Sequence, residues 1–257
     1  SATVPAVSVG ELPLWLSMSG TATPGTASPY AWDYDWSMTT SNNPKTYTLV
    51  ATDGIQQYAA NYCLAESITI AADRSGLTNL SASLFAQNIA KNSATLAEGT
   101  PTSPFMAGRL WNAYQHGSTF PGTADGTAYE YLLDFSLEFS SGITRQAYLA
   151  GTTVFSTHSE SNPFTGTLTM TVSSTASAVS TWYDAYRAAT PKGVRLTWSN
   201  GTYSAHILAM IVPTEVQQMA GAEDGLTTMA VTGTLVYDTA SAKSLRIVVN
   251  SDLAAVP

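Results

Sequence analysis

Tyr129-Glu130-Tyr131-Leu132-Leu133-Asp134-Phe135-Ser136-Leu137-Glu138-Phe139 decides how the rest of the chain is read. Tyr129, Tyr131, Leu133, Phe135, Leu137 and Phe139 share one parity. Glu130, Asp134, Ser136 and Glu138 share the other, with Leu132 the exception. Successive side chains of a strand point to opposite faces, so this period of two specifies a strand with one apolar face and one acid- and hydroxyl-bearing face.

The pattern recurs on both sides. Downstream, Leu168, Met170 and Val172 alternate with Thr167, Thr169 and Thr171. Upstream, Leu64, Glu66, Ile68 and Ile70 alternate with Ala65, Ser67 and Thr69. After a turn at Asp73–Gly76, Leu80, Ala82 and Leu84 alternate with Ser81 and Ser83. Further strands are expected at Lys45–Val50 and Ile55–Tyr62 around the Asp53-Gly54 turn, at Val194–Trp198 and Tyr203–Val212 around Asn200-Gly201, and at Met229–Tyr237 and Leu245–Val249. One helix interrupts them at about 178–189. Val179, Trp182, Tyr183 and Tyr186 follow helical spacing, Ser177 or Ser180 can cap the start, and Pro191 and Gly193 stop it.

Two stretches lack periodicity. Residues 1–44, dense in Gly, Pro, Ser and Thr, read as an extended N-terminal arm carrying the cluster Trp32-Asp33-Tyr34-Asp35-Trp36. Residues 92–128, with Pro101, Pro104, Pro121, Gly122 and Gly126, read as a loop joining two halves, about 45–91 and 129–257, of a single β domain.

Composition narrows the function classes. Charged residues make up 11% of the 257-residue chain, against roughly 25% in an average soluble protein. A surface of Thr, Ser and Ala suits a protein covered by neighbours in an assembly, or a secreted β protein. Net charge is −8, and the ten basic residues form no stripe, which disfavours nucleic-acid binding. Cys63 is the single cysteine, so no intramolecular disulfide forms, and a cytosolic folding compartment is expected. Ser1-Ala2-Thr3-Val4-Pro5 has neither the charged start nor the apolar run of a signal peptide. No apolar run approaches the ~18 residues that would span a membrane.

Motifs of catalysis are missing from the sequence. His116, His158 and His206 lie in unrelated contexts, and no G-x-S-x-G elbow, Walker A motif or G-x-G-x-x-G loop is present. Asp33 with Asp35, and Glu223 with Asp224, are carboxylate pairs without a metal-binding frame. Such pairs serve glycoside hydrolysis, and Trp32, Tyr34 and Trp36 could stack on sugar rings. The competing reading is that these aromatics anchor the arm on a core or on a neighbouring subunit. The expectation is a protein that is not an enzyme and needs no cofactor or metal.

In its order of features the chain resembles the major tail tube proteins of long-tailed (siphovirus-like) bacteriophages. The resemblance runs through Lys45-Thr46-Tyr47-Thr48-Leu49-Val50, Tyr62-Cys63-Leu64-Ala65-Glu66-Ser67-Ile68-Thr69-Ile70 and Gly76-Leu77-Thr78-Asn79-Leu80-Ser81-Ala82-Ser83-Leu84-Phe85. It continues through Tyr129–Phe139, the helix around Trp182, and Asp224-Gly225 ahead of Met229–Tyr237. It implies a β-sandwich or partly open barrel with long hairpins and one flanking helix. It also implies hexameric rings stacked into a tube of the virion tail, assembled in the host cytoplasm with other tail proteins, with DNA only as transported cargo and no membrane. Within that picture Ser81, Ser83, Glu130, Asp134, Glu138, Thr167, Thr169 and Thr171 would face the lumen, and Trp32, Tyr34 and Trp36 would anchor the arm between subunits. Compact members of that family lack so long an arm. The alternatives are a carbohydrate-binding or fibre-like β module, or another ring-forming tail component such as a terminator or baseplate ring.

Overall fold

In the computed structural model the described residues are 1–257 without 21, 23, 37–41, 53–54, 93–102, 129–131, 147–156, 161–162, 224–225 and 256–257. In chain order the first elements are β1 (Ala2–Val4), α1 (Leu12–Ser17), β2 (Tyr30–Asp35), β3 (Tyr47–Thr52), β4 (Gln57–Asp73), β5 (Asn79–Phe85), β6 (Asn88–Asn92), β7 (Trp111–Gln115) and β8 (Thr127–Ala128). They are followed by β9 (Leu132–Ser140), β10 (Ile143–Gln146), β11 (Thr157–Glu160), β12 (Thr165–Ser173), α2 (Ala176–Arg187), β13 (Lys192–Ser199), β14 (Ser204–Glu223), β15 (Leu226–Leu235) and β16 (Leu245–Ser251).

Fourteen strands form one antiparallel sheet that is not closed into a barrel, and β10 with β11 forms a separate hairpin. The sheet works as two layers because β14 belongs to both. Its first part, up to Ile211, pairs with β13, and Ser204–Ala209 also pairs with β16 on the other edge. From Ile211 onward it pairs with β15. One layer therefore runs β1-β5-β4-β9-β12-β15-β14, and the other β8-β7-β13-β14-β16-β2. Their apolar faces meet: Trp36 lies 4.8 Å from Phe139 and Trp111 lies 4.9 Å from Phe135, between ring centroids. Between the layers sit Leu80, Ile68, Ile70, Leu137, Leu168 and Met170 from the first and Ile207, Leu196, Trp198 and Ile247 from the second, all buried. Burial of side chains of this size stabilises a fold by roughly 1.5–3 kcal/mol each.

The alternation of the sequence explains the first layer directly, with one local adjustment. Leu64 and Ala65 are both buried while Glu66 is exposed. The register shifts between Ala65 and Ser67, a bulge that ejects Glu66 from the apolar parity it holds in sequence. Gly166 lies opposite Phe139, where a Cβ would stand 2.8 Å from the Glu138 carbonyl oxygen and 2.5 Å from Leu235 Cδ1. Only glycine fits there.

Three expectations are corrected. Residues 1–44 do not form a free arm. β1 extends the edge at β5 and β2 extends the edge at β16, while Val7, Val9, Leu12, Leu16 and Met18 join the core. Ahead of α1, Ser8 and Glu11 bond reciprocally across the turn: the Glu11 amide donates to Ser8 Oγ at 3.3 Å, and the Ser8 amide donates to Glu11 Oε2 at 3.0 Å. Nor are residues 92–128 all loop. β7 pairs with β13 throughout its length, and Trp111 Nε1 donates to Thr78 Oγ1 at 2.8 Å. Helix α2 is capped by Thr175, whose Oγ1 accepts from the Ala178 amide at 3.2 Å, rather than by Ser177 or Ser180.

Candidate functional surface

The four strands with polar parities, β5, β4, β9 and β12, are consecutive neighbours in the first layer. Their registers align those parities into rows. One row runs Thr3, Ser81, Thr69, Glu138, Thr167, Thr234 across six strands. The next runs Asn79, Ala71, Ser136, Thr169, Thr232, Glu215, and a third runs Asp73, Asp134, Thr171, Ala230, Gln217. At ~4.8 Å between strands, a six-strand row is about 24 Å wide. These rows contain no Lys, Arg or His, and four carboxylates: Asp73, Asp134, Glu138 and Glu215.

The surface is orderly at the level of single bonds. Thr169 Oγ1 and Thr232 Oγ1 lie 3.3 Å apart across β12 and β15. Asp73 Oδ1 accepts from the Ser75 hydroxyl, from the Ser75 amide at 2.7 Å and from the Gly76 amide at 2.8 Å. The Ser75 hydroxyl bond above all holds the Asp73 carboxyl below the usual carboxylate range. Of the residues expected to face a lumen, Ser83, Glu138 and Thr167 are exposed, and Ser81, Asp134, Thr169 and Thr171 are half-buried between neighbours. Glu130 lies outside the described residues. Thr69, read on the polar parity of its strand, joins this face, and Thr3, Thr232, Thr234 and Glu215 complete it without having been singled out in the sequence. Thr232 and Thr234 alternate with buried Val231 and Leu235, so their parity was available as a signal.

The aromatic cluster is placed elsewhere. Trp32, Tyr34 and Trp36 are fully buried in the chain's own core, with Trp32 stacked on Tyr34 and Tyr34 on Trp36 at 6.4 and 6.0 Å. Trp32 Nε1 donates to the Leu253 carbonyl at 2.8 Å, the Tyr34 hydroxyl to the Pro13 carbonyl at 2.7 Å, and Trp36 Nε1 to the Ser19 carbonyl at 3.2 Å. Burial pushes the Tyr34 hydroxyl far above its ordinary pKa. These side chains are spent on their own fold. They cannot anchor an arm between subunits, and they offer no ring face to a sugar. Asp33 and Asp35 point outward from the same strand. Arg246 donates to both Asp33 oxygens, at 2.8 and 2.5 Å, and Lys243 pairs with Asp35.

The remaining reactive groups are dispersed. His116 is half-buried, with Nδ1 3.1 Å from the Thr119 carbonyl oxygen. His206 is half-buried, its Nδ1 3.2 Å from Thr197 Oγ1. Desolvation first, and the nearby Arg195 second, push its pKa below the ordinary value. The buried Cys63 thiol donates to the Ala60 carbonyl, and burial raises its pKa. Among the described residues no group of three His, Cys, Asp or Glu side chains could hold a metal ion. No protein-family model and no curated protein matches the chain.

Proposed function

We propose that the chain is a structural subunit of a phage tail tube, assembling as stacked hexameric rings whose lumen is lined by the hydroxyl and acid face of the first layer. The single observation that supports this reading most is the absence of any cation from rows that span five or six strands while four carboxylates are present. Duplex DNA carries one negative charge per ~1.7 Å. A wall of short hydroxyls and carboxylates repels it and offers no guanidinium or ammonium to hold a phosphate, so the duplex slides. Ring closure would also cover strand edges that otherwise invite aggregation. The partners are then copies of this chain and other tail proteins, DNA passes as cargo, and the product is part of the virion.

Negative-stain electron microscopy of the purified protein tests the assembly: hollow tubes or six-fold rings are expected, and a monodisperse monomer at high concentration overturns the reading. Rings that never stack would point instead to a terminator or baseplate component. The lumen assignment has its own test. Replacing Asp134 and Glu138 together by Lys should leave assembly intact while reducing DNA passage and infectivity, and unchanged passage removes the assignment.

A further inference from the structure

The inner face of the second layer changes character at one end. On β13, Trp198, Leu196 and Val194 face the core, and the next residue of that parity is Lys192. On β7, Trp111 and Ala113 face the core, and the next of that parity is Gln115, opposite Val194. The ladder then bulges. The His116 amide donates to the Gly193 carbonyl at 2.8 Å and the Gly193 amide donates to the Gly117 carbonyl at 2.9 Å, so two residues oppose one. A cavity of about 440 Å³ opens here, lined by these residues together with Thr127 of β8 and Thr181 of α2. Cavities of roughly 300–1,000 Å³ are the ones that hold small ligands.

Among the described residues the lining holds hydrogen-bond donors and no carboxylate. Lys192 is half-buried, and among the described residues it forms no ion pair. His116 Nδ1 lies 3.1 Å from the Thr119 carbonyl oxygen. A carbonyl only accepts, so Nδ1 carries the ring proton, and Nε2 has no partner among the described residues. Thr127 and Thr181 add two hydroxyls. Gly117 adds room: a Cβ built there meets nothing within 4 Å. The nearest acids in the chain are placed otherwise. Asp125 accepts from the Gly122 amide at 2.9 Å, and Asp184, three residues on from Thr181, is exposed outside the lining. Glu130 lies outside the described residues.

We propose that this cavity binds a small oxyanion, a phosphate or carboxylate group held by the Lys192 ammonium and the threonine hydroxyls, with His116 as a further partner. Lysine serves such groups as a point charge, and a hydrogen bond with one ionised partner is roughly twice as strong as a neutral one. A lysine on the core-facing parity of a strand is costly to desolvate unless an opposite charge joins it, and an oxyanion in the cavity supplies that charge. All the groups named belong to one chain, so binding is independent of ring or tube formation.

Equilibrium dialysis of the full chain at fixed pH and ionic strength tests it, with radiolabelled inorganic phosphate in one arm and radiolabelled succinate in the other. Saturable binding is expected in at least one arm. Phosphate alone identifies a phosphate-bearing ligand, succinate alone a carboxylate, and both together a site that selects oxyanion charge without regard to its carrier. Lys192→Met should weaken binding by roughly tenfold or more. Gly117→Leu should abolish it by filling the cavity, and Lys91→Met, on β6, should leave it unchanged. Unfolding midpoints establish that each variant folds. Should Gly117→Leu fail to fold, Lys192→Met and Thr181→Val decide, each binding more weakly than the parent. The proposal is overturned by uptake that does not saturate in either arm, by wild-type affinity in Lys192→Met, or by equal losses in Lys192→Met and Lys91→Met.

Discussion

Strands β2 and β9 are built from the same alphabet, acids alternating with aromatics and aliphatics, and they use it differently. In β2 the outward Asp33 and Asp35 meet Arg246 and Lys243. In β9 the outward Asp134 and Glu138 face Thr and Asp across both neighbouring strands. The inward residues behave alike: Trp32, Tyr34 and Trp36 pack in the core as Phe135, Leu137 and Phe139 do. Acids with cations beside them help hold an edge strand. Acids set in a field of hydroxyls leave the negative potential of a surface uncancelled. The neighbours across the ladder, and not the local sequence, separate the two cases.

The largest effect that should break the comparison is on the inward side. Trp36→Ala removes a ring packed on Phe139 and Phe164 and should cost about 3–5 kcal/mol. The measurement is a urea midpoint shift at constant slope. A loss below about 1 kcal/mol would mean that β2 contributes little to the core. On the outward side Arg246→Ala leaves Asp33 without its two charge-assisted bonds. Both side chains are partly exposed, so solvent screening limits the loss to about 0.2–1 kcal/mol. The loss should shrink further as salt is raised from 0.1 M to ~1 M, where screening acts within about 3 Å. A salt-independent loss would show that Arg246 acts through packing of its stem.

How far these roles could be read in the sequence follows from the same contrast. The long alternating strands, their apolar parities and helix α2 were legible because each depends on local periodicity, whereas the short helix α1 was not read. The adjacency of β5, β4, β9 and β12, and hence the polar face itself, was legible only as four separate hydroxyl-bearing strands, since nothing local says which strands become neighbours. Strand β7 was hidden because Trp111 and Ala113 offer too short an alternation among Gly and Pro residues. The fate of Trp32-Asp33-Tyr34-Asp35-Trp36 was hidden because its partners are about two hundred residues away: Arg246 for Asp33 and the Leu253 carbonyl for Trp32. Glu66 was misassigned by parity because a bulge changes the count without changing the composition.

The outward face of the second layer carries a titratable group of its own, in register with Val248 and Asp33. His206 is half-buried near Arg195, whose guanidinium stacks on Tyr114 and donates to the Thr123 carbonyl. The folded-state pKa of His206 lies below its unfolded value, so the unfolded chain binds the proton more readily. Stability at neutral pH is therefore lost as pH falls below about 6.5 and through the folded pKa. His206→Gln should flatten this part of the stability profile between roughly pH 7 and 5. An unchanged slope in the variant would place the acid sensitivity elsewhere, Asp73 and Asp238 being the first alternatives. Their turn hydrogen bonds lower both pKa values, and their contributions are lost only at lower pH.

The smallest stability effect is expected where the proposed function lies. Asp134→Asn and Glu138→Gln keep shape and hydrogen-bonding capacity while removing two of the four carboxylates from the polar rows. Among the described residues neither acid forms an ion pair, so folding stability should stay within about 0.5 kcal/mol of the parent. If anything it should rise slightly, because Asp73 and Asp134 stand directly opposite each other and like charges so placed repel. Destabilisation beyond about 1 kcal/mol would show that these acids are fold residues like Asp33. A stable variant that assembles normally but passes DNA more slowly would instead separate the two uses of the same alphabet: carboxylates with cations beside them serve the fold, and those set among hydroxyls serve the surface.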